Sequence, residues 1–399
     1  MKVLFVTDAG DESGIGGHVY SVQALVATLA PRIACVVVSL GGAACPALDA
    51  LACRRHRLAF GAGRLRRAER ARFLEIVRAE KPDVIHAFDP IAGAFARAAA
   101  RRCGCGLVLT KCGGPNPAGR WPYSYYPRVD RLVLFSEENE RYFRTRRRFR
   151  RTRIWRIPNR IQEGTTDAAK VAALRARLDP ARPVVLRIGR ISPSYARTAE
   201  QCVHLAQRLA ADGVPAQLVF LGAVQDPAVA RALLADLGGQ GIVVSDPELV
   251  AQAAALLDVG DLVVGTGRGL MEAAARGRVL LAPVRNGLLP ALVTEANWAP
   301  LFAANFSERA ELVPWDEERN YAEIRRALAD PECRRRQSAF ARRLYEEQFA
   351  LASVVERYLE IYREATPERG ALVDRAAHWL WLICRTWRRP LAPPQEVRA

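Results

Sequence analysis

Short runs of valine, leucine and isoleucine recur along the chain, and the segments between them carry apolar residues three and four positions apart. In the first half KVLFV, ACVVVSL, DVIHAF, GLVLTK and RLVLFS are the apolar runs, with HVYSVQALVATLA and AERARFLEIVRAE between them. Unbroken apolar runs of this length fit strands covered on both faces, and the longer spacing fits amphipathic helices. A parallel sheet wrapped by helices follows. The second half repeats the scheme with PVVLRIGR, AQLVFLG, GIVVS, DLVVG and VLLAPV, separated by AEQCVHLAQRLAADG, PAVARALLADLGG and PELVAQAAALLD. The fold class is therefore α/β, with two doubly wound domains. Their seam falls between Pro158 and Pro183, where IPNRIQEGTTD is rich in turn residues.

The amphipathic runs YAEIRRALADPECRRRQSAFARRLYEEQF and LASVVERYLEIYREA follow the second half, and then ALVDRAAHWLWLICRTWRRP at 371–390. Trp379, Trp381 and Trp387 stand there beside Arg385, Arg388 and Arg389. Two readings stay open: an indole and guanidinium segment lying at a membrane interface, or a helix docked on a domain with its arginines solvated. LAPPQEVRA reads as a frayed end.

Composition narrows the class. The 399 residues are 50% hydrophobic and 25% charged, which suits two or three domains with full cores. Lys and Arg outnumber Asp and Glu by 59 to 42, a formal charge of +17, so the surface favours anionic partners. Nine scattered cysteines fit a reducing compartment, and the expected location is the cytoplasm. Cys103, Cys105 and Cys112 lack the paired spacing or histidine of a zinc site. MKVLFVTDAG reaches Asp8 too soon for a signal peptide, and no apolar run approaches the ~20 residues of a membrane span.

Chemistry concentrates where apolar strands meet glycine turns. DLVVGTGRGLMEAAARGRVLL at Asp261 to Leu281 runs from a strand through Gly265, Thr266, Gly267 and Gly269 into a helix, with Glu272 expected in its opening turn. Such a turn lets the backbone approach a diphosphate while the first helical amides face its charge. Glu272 is suited to a ribose diol. Gly14, Gly16 and Gly17 follow the first strand in the same way. A plain strand-to-helix turn is the other reading of either segment. His86 ends a strand on the edge where ligands of open α/β sheets collect; Arg190 ends another, as a cation able to neutralise a leaving diphosphate.

Several segments, in order, resemble the retaining GT-B glycosyltransferases of family 4. GIGGHVYSVQALVATLA resembles the family's glycine turn and first helix, KPDVIHAFDP its "PDVIHAH" strand, and VDRLVLFSEENERYF its "AD.VI.VSE..R..L" segment. IWRIPNRI resembles "V.VIPNGID", VLRIGRISP resembles "L.VGRL.P.KG", and GTGRGLMEAAARG resembles the "EGFGL..LEAMA.G" donor loop. The resemblance spans residues 1–300. It implies two Rossmann-like domains facing a cleft: 1–160 on the acceptor side and 161–345 for the nucleotide sugar. A helix at 346–366 returns to the first domain, and 367–399 is a basic aromatic tail.

What the resemblance implies for the site is transfer of a sugar from a nucleotide diphosphate sugar to a glycan or lipid-linked acceptor, with retention, in cell-surface polysaccharide or glycolipid synthesis. His86, Arg190 and Arg197 are the catalytic candidates; Gly16, Gly17, Gly267, Arg268, Gly269 and Glu272 are the donor-side candidates. Lys111 and Asn116, in LTKCGGPNP, are acceptor-side candidates, against the alternative of a structural loop. Two departures stand out. Tyr195 occupies the place of the family's second cationic residue, leaving Arg197 or Arg268 to replace it, and Val264 stands where the first glutamate of E-x(7)-E belongs. A GT-B protein that epimerises, hydrolyses or only binds sugar nucleotides is therefore a second reading.

No D-x-D pattern is present, and neither a metal nor any other cofactor is expected. An anionic membrane surface is a possible partner, with peripheral placement at its inner face. The arginine-rich RYFRTRRRFRRTRIWR at Arg141 to Arg156 raises a remote nucleic-acid reading, but no recognition module accompanies it, and no nucleic acid is expected.

Overall fold

A computed structural model describes residues 1–9, 17–41, 44–58, 67–121, 124–214, 216–251, 253–367 and 372–386. The chain forms two compact units, Met1–Asn159 with Leu351–Ala399, and Arg160–Ala350. In the first, β1 (Lys2–Asp8), β2 (Ala34–Leu40), β3 (Arg54–Leu58), β4 (Val84–Phe88), β5 (Gly106–Lys111), β6 (Arg131–Leu134) and β7 (Arg153–Arg156) form one sheet in the order β3-β2-β1-β4-β5-β6-β7. All neighbours run parallel. Alternate residues of β1 feed separate cores, Leu4 and Val6 on one face and Val3 and Phe5 on the other. This two-sided burial explains why the central strands read as unbroken apolar runs.

The second unit contains β8 (Val184–Ile188), β9 (Gln217–Leu221), β10 (Gly241–Val244), β11 (Leu262–Val264), β12 (Val279–Ala282) and β13 (Ala291–Leu292), ordered β10-β9-β8-β11-β12-β13. Only β13 is antiparallel to its neighbour among these described strands. Counted from its own first strand, this order is that of the first unit without β7. Both are Rossmann-like. In each, connections leave in opposite directions from two adjacent strands, β1 and β4 or β8 and β11, and so open a crevice at their carboxyl ends.

After Ala350 the chain rejoins the first unit, not after 345 as expected. The turn Tyr345–Phe349 still packs in the second unit, where the Ile161 amide donates to the Phe349 carbonyl at 2.9 Å. The helix Val355–Arg363 then buries Val355, Tyr358, Leu359 and Tyr362 on the same sheet face as Val3 and Phe5.

The arginine-rich run forms parts of a helix (Glu137–Arg144) and β7, and many of its guanidinium groups meet protein carboxylates. Arg156 reaches Glu137 at 2.6 Å and Glu140 at 3.1 Å, Arg144 reaches Glu140 at 2.8 Å, and Arg153 reaches Glu364 at 2.6 Å. Arg146 stacks on the Tyr142 ring at 3.7 Å.

Of the two readings of the C-terminal segment, the structure shows the docked helix. Leu372–Thr386 packs along the helix Asp89–Cys103, burying His378, Trp381 and Leu382. Trp387, Arg388 and Arg389 lie outside the described residues. Asp374 anchors the helix: it accepts from Arg97 at 3.0 Å, from the Arg128 amide at 3.1 Å and from Arg148, while its carbonyl accepts from the Tyr125 hydroxyl at 2.8 Å. Arg97 is only 2% exposed, so losing its carboxylate leaves a buried charge. Asp374→Ala is expected to lower the unfolding free energy by about 3 kcal/mol in urea titrations; a change within error would mean that the carboxylate does not hold the helix.

Candidate functional site

In the second unit the crevice lies between the loops after β8 and β11. These adjacent strands pair Val185 with Leu262 and Arg187 with Val264. After β8 the chain turns at Gly189, with φ +140°, and runs so close to the loop after β9 that a Cβ on Gly222 would lie 2.0 Å from the Gly189 carbonyl oxygen. Only glycine fits there. Arg187, 2% exposed within β8, supports the turn from below by donating to the carbonyls of Gly189 and, at 2.9 Å, Arg190. Burial pushes its pKa down. Arg190, half-buried at the turn, donates to the Tyr195 hydroxyl at 3.1 Å and lies over its ring.

After β11, Gly265 and Thr266 lead into the helix Gly267–Ala275. Gly267 has φ +49°, and its amide donates to the Asn305 carbonyl at 3.1 Å. A Cβ on Gly269 would press on Ile188 at 3.2 Å, so this turn sits directly against the end of β8. Thr266 makes no side-chain cap, and the amides of a first helical turn have no intrahelical acceptor. Glu272 falls in the second turn, a correction to the expected first turn, with Oε1 2.7 Å from Nε of Arg268. Both side chains are largely shielded from solvent. Within one unit, the structure thus assembles a glycine-lined turn, Arg190, a helix N-terminus and an Arg268–Glu272 pair around a single switch point.

Arg197 does not join them. Its guanidinium donates to the carbonyls of Val284 at 2.9 Å and Gly287 at 3.0 Å, and to that of Arg285, fastening the loop after β12. The expectation that it, as one of two candidates, replaces the missing cation is corrected, since its Nε and Nη2 donors are engaged by this loop.

In the first unit, Gly17 opens the helix Gly17–Leu29 with nothing within 4 Å of where a Cβ would be, while Gly14 and Gly16 lie outside the described residues. His18 donates from Nε2 to the Asp8 carbonyl at 2.6 Å. The Ser21 hydroxyl donates to Asn159 Oδ1 at 2.9 Å, tying this helix to the PNR segment that ends the unit.

His86, expected as a catalytic candidate at a strand end, is instead fully buried in the middle of β4. Nδ1 lies 2.8 Å from the Tyr362 hydroxyl, Nε2 lies 2.7 Å from that of Thr110, and the ring stacks on Phe88. A neutral ring donates through one nitrogen and accepts through the other, and both hydroxyls suit either role. Burial accordingly lowers its pKa from 6.5 to about 3.

Lys111 and Asn116 are drawn into a loop network instead of an open acceptor surface. Lys111, 5% exposed, donates to the carbonyls of Gly113 and Gly114 (3.1 Å to the latter) and to Asn139 Oδ1 at 3.3 Å. Asn139 donates in turn to Asn116 Oδ1 at 2.9 Å. Sequence reasoning missed Arg187 and Asn139. Arg187 carried a signal in being a cation inside an apolar strand, whereas Asn139 carried none.

Two Rossmann-like units in one chain, with a C-terminal helix returned to the first, define the GT-B class of fold. Residues 15–162 match the family model described as Glycosyltransferase Family 4. No curated protein matches the chain. Among solved structures the chain is similar to HepE from Anabaena in complex with UDP and glucose, at 16% identity and TM-score 0.64, covering 91% of this chain and 99% of that one. It is also similar to WaaG, a glycosyltransferase involved in lipopolysaccharide biosynthesis, at 17% identity, TM-score 0.58 and coverage of 91% and 100%. UDP-GlcNAc 2-epimerase from Neisseria meningitidis bound to UDP-GlcNAc shares the fold at 12% identity, TM-score 0.56 and coverage of 91% and 100%.

The buried histidines give a pH signature. His86 and His378, the latter also lowered to about 3 by burial and by Arg97, are neutral when folded and take up protons near pH 6.5 when unfolded. Their stabilising contribution is complete above pH 6.5 and is lost as pH falls towards 3. Between pH 6.5 and 4.5 the unfolding free energy is expected to fall by about 2 kcal/mol per histidine, with a shallower fall in His86→Gln. Urea titrations across that range check it; a flat profile would mean that the ring is not held neutral.

Proposed function

We propose that the chain transfers a glycosyl group from a nucleotide diphosphate sugar to a hydroxyl of a glycan or lipid-linked acceptor. The observation that carries this reading is the switch point of the second unit, where Arg190 and the N-terminus of the Gly267–Ala275 helix, which has no side-chain cap from Thr266, flank glycine turns shaped for close backbone approach. Breaking the bond between the anomeric carbon and the diphosphate sends its electron pair to the phosphate oxygen. A guanidinium and oriented amides stabilise that growing charge. The acceptor oxygen then bonds to the anomeric carbon, and its proton leaves to the departing phosphate or to solvent. Arg190 and the helix amides supply the stabilisation without a metal. Glu272, at the far side of the Arg268 pair, accepts from the ribose hydroxyls. The family likeness supports retention of configuration, and the likeness to WaaG supports a role in cell-surface glycans.

A second reading, epimerisation or hydrolysis of the nucleotide sugar, is favoured by one observation. Val264 is a fully buried strand residue, so no carboxylate is supplied at that position. Product analysis with and without glycan acceptors separates the two.

Calorimetric titration with UDP, GDP and ADP tests nucleotide binding directly. One diphosphate is expected to bind, and Glu272→Ala to weaken it by roughly 1.5–3 kcal/mol, about ten- to a hundredfold. Absence of binding to all three would sink both readings. Arg190→Ala is expected to reduce kcat by about a hundredfold or more with little change in donor KM, because its charge complements the leaving group most strongly in the transition state. Steady-state assays, run also in EDTA, check this. A pure rise in KM would make Arg190 a binding residue only, and loss of activity in EDTA restored by magnesium would replace the metal-free mechanism.

A further inference from the structure

The helix Leu372–Thr386 packs Trp381 and Leu382 into the core and carries a second apolar stripe on its outward face. Its inward face carries Asp374 and His378 together with Trp381, and these reach Arg97, Arg148, Tyr125 and the Pro90 carbonyl. The outward face carries Leu372 (72% exposed), Val373 (79%) and Leu380 (51%), with exposed Ala376 and Cys384 and half-buried Ile383 among them. At 100° per residue these six positions fall on one side of the helix, and none of them is charged. A helix that only braced the fold would turn this stripe inward.

Beside the stripe runs a groove of about 430 Å³ between this helix and Asp89–Cys103. Arg70, Arg101, Arg102 and Arg375 line it, with the buried Arg97 among them, and no acidic side chain among the described residues lines it. Arg101 and Arg102 are exposed, while Arg70 stacks on the half-buried Trp379 ring at 4.2 Å. Leu372 and Ala376 border both groove and stripe. An apolar strip next to a cationic trough matches a surface that is apolar inside and rich in phosphate at its boundary. No described helix is long and apolar enough to cross a membrane, and a helix of this kind that met a bilayer would lie in its interface.

We propose that this face of the first unit binds an anionic phospholipid bilayer, with Leu372, Val373 and Leu380 entering the acyl boundary and the groove arginines holding lipid phosphates. Of the tryptophans in the described helix, Trp381 is core and Trp379 roofs part of the groove under Arg70, so neither is an inserting group. The proposal is independent of the transferase reading. It rests on a different set of residues.

Flotation of the full chain with vesicles of phosphatidylcholine, alone or mixed with phosphatidylglycerol, at low and high salt, tests it. Binding is expected only with phosphatidylglycerol and is weakened by salt. The triple variant Leu372→Ser, Val373→Ser, Leu380→Ser should partition about tenfold less or worse at an unchanged thermal midpoint, since exposed leucines and valines add little to folding but much to insertion. Arg101→Glu with Arg102→Glu should abolish the dependence on anionic lipid. Nucleotide titrations on the same variants should match the parent, so a failed transferase reading and a failed membrane reading give different results. The proposal is overturned if the full chain never floats, if the triple variant floats like the parent, or if sedimentation shows a parent dimer that the triple variant dissociates, which would make the stripe a self-association face.

Discussion

Each parallel sheet in this protein must be covered on both faces, and the placement of polar chemistry depends on that constraint. Strand interiors such as Val3 to Val6 or Leu262 to Val264 have no solvent-facing side, so functional polar groups are pushed to strand ends. The shared strand order then selects which ends matter. Between β8 and β11 the connections diverge, and the space between them is bounded by backbone because Gly222, Gly265, Gly267 and Gly269 carry no side chain. The near-contact of Gly222 with the Gly189 carbonyl fixes the turn that presents Arg190. Packing thus precedes chemistry.

The same constraint explains how a chain with an excess of arginine keeps so many of them inside. Arg97, Arg131 and Arg187 are each 6% exposed or less. Arg187 answers carbonyls of its own turn, Arg131 donates to the Glu364 carbonyl and to Thr366 at 3.1 Å, and Arg97 meets Asp374. A planar guanidinium can satisfy several carbonyls at once, which suits it to act as an internal fastener. Net charge therefore overstates the cations offered to ligands. Arg197, fastening the loop after β12, shows the consequence at the site itself.

The central strands were legible because burial on both faces imposes a simple apolar pattern, and the glycine turns were legible because backbone approach demands one residue type. Three of the four edge strands were not; β10, read from GIVVS, was the exception. β3 reads RRHRL and β7 reads RIWR, charged as edge strands commonly are, and β13 has two residues. Side-chain roles were the least legible part. His86 lies in the middle of β4, Lys111 ends β5 and Arg197 opens a helix, and their partners Tyr362, Asn139 and Val284 are far away in sequence. A residue's type and position say what it could do, but only its neighbours say whether its donors remain available. Asp374 makes the same point in the tail, where the tryptophans drew attention but a carboxylate and a histidine set the orientation of the helix.

At the switch point the proposed reading turns on charge balance. Arg268 and Glu272 offset one another, whereas among the described residues Arg190 donates to the neutral Tyr195 hydroxyl. On the proposed reading its positive charge and the helix amides would be the net field that a diphosphate meets, which would give a physical sense to a tyrosine where a second cation was expected. A ribose drawing the Glu272 carboxylate towards its hydroxyls would loosen the pair and turn the Arg268 guanidinium towards the phosphates, raising the positive field as the anion arrives. On this view the shielded pair is a stored cation, its charge balanced by Glu272 until an anion arrives, so that two arginines and a helix terminus do not repel one another across the crevice.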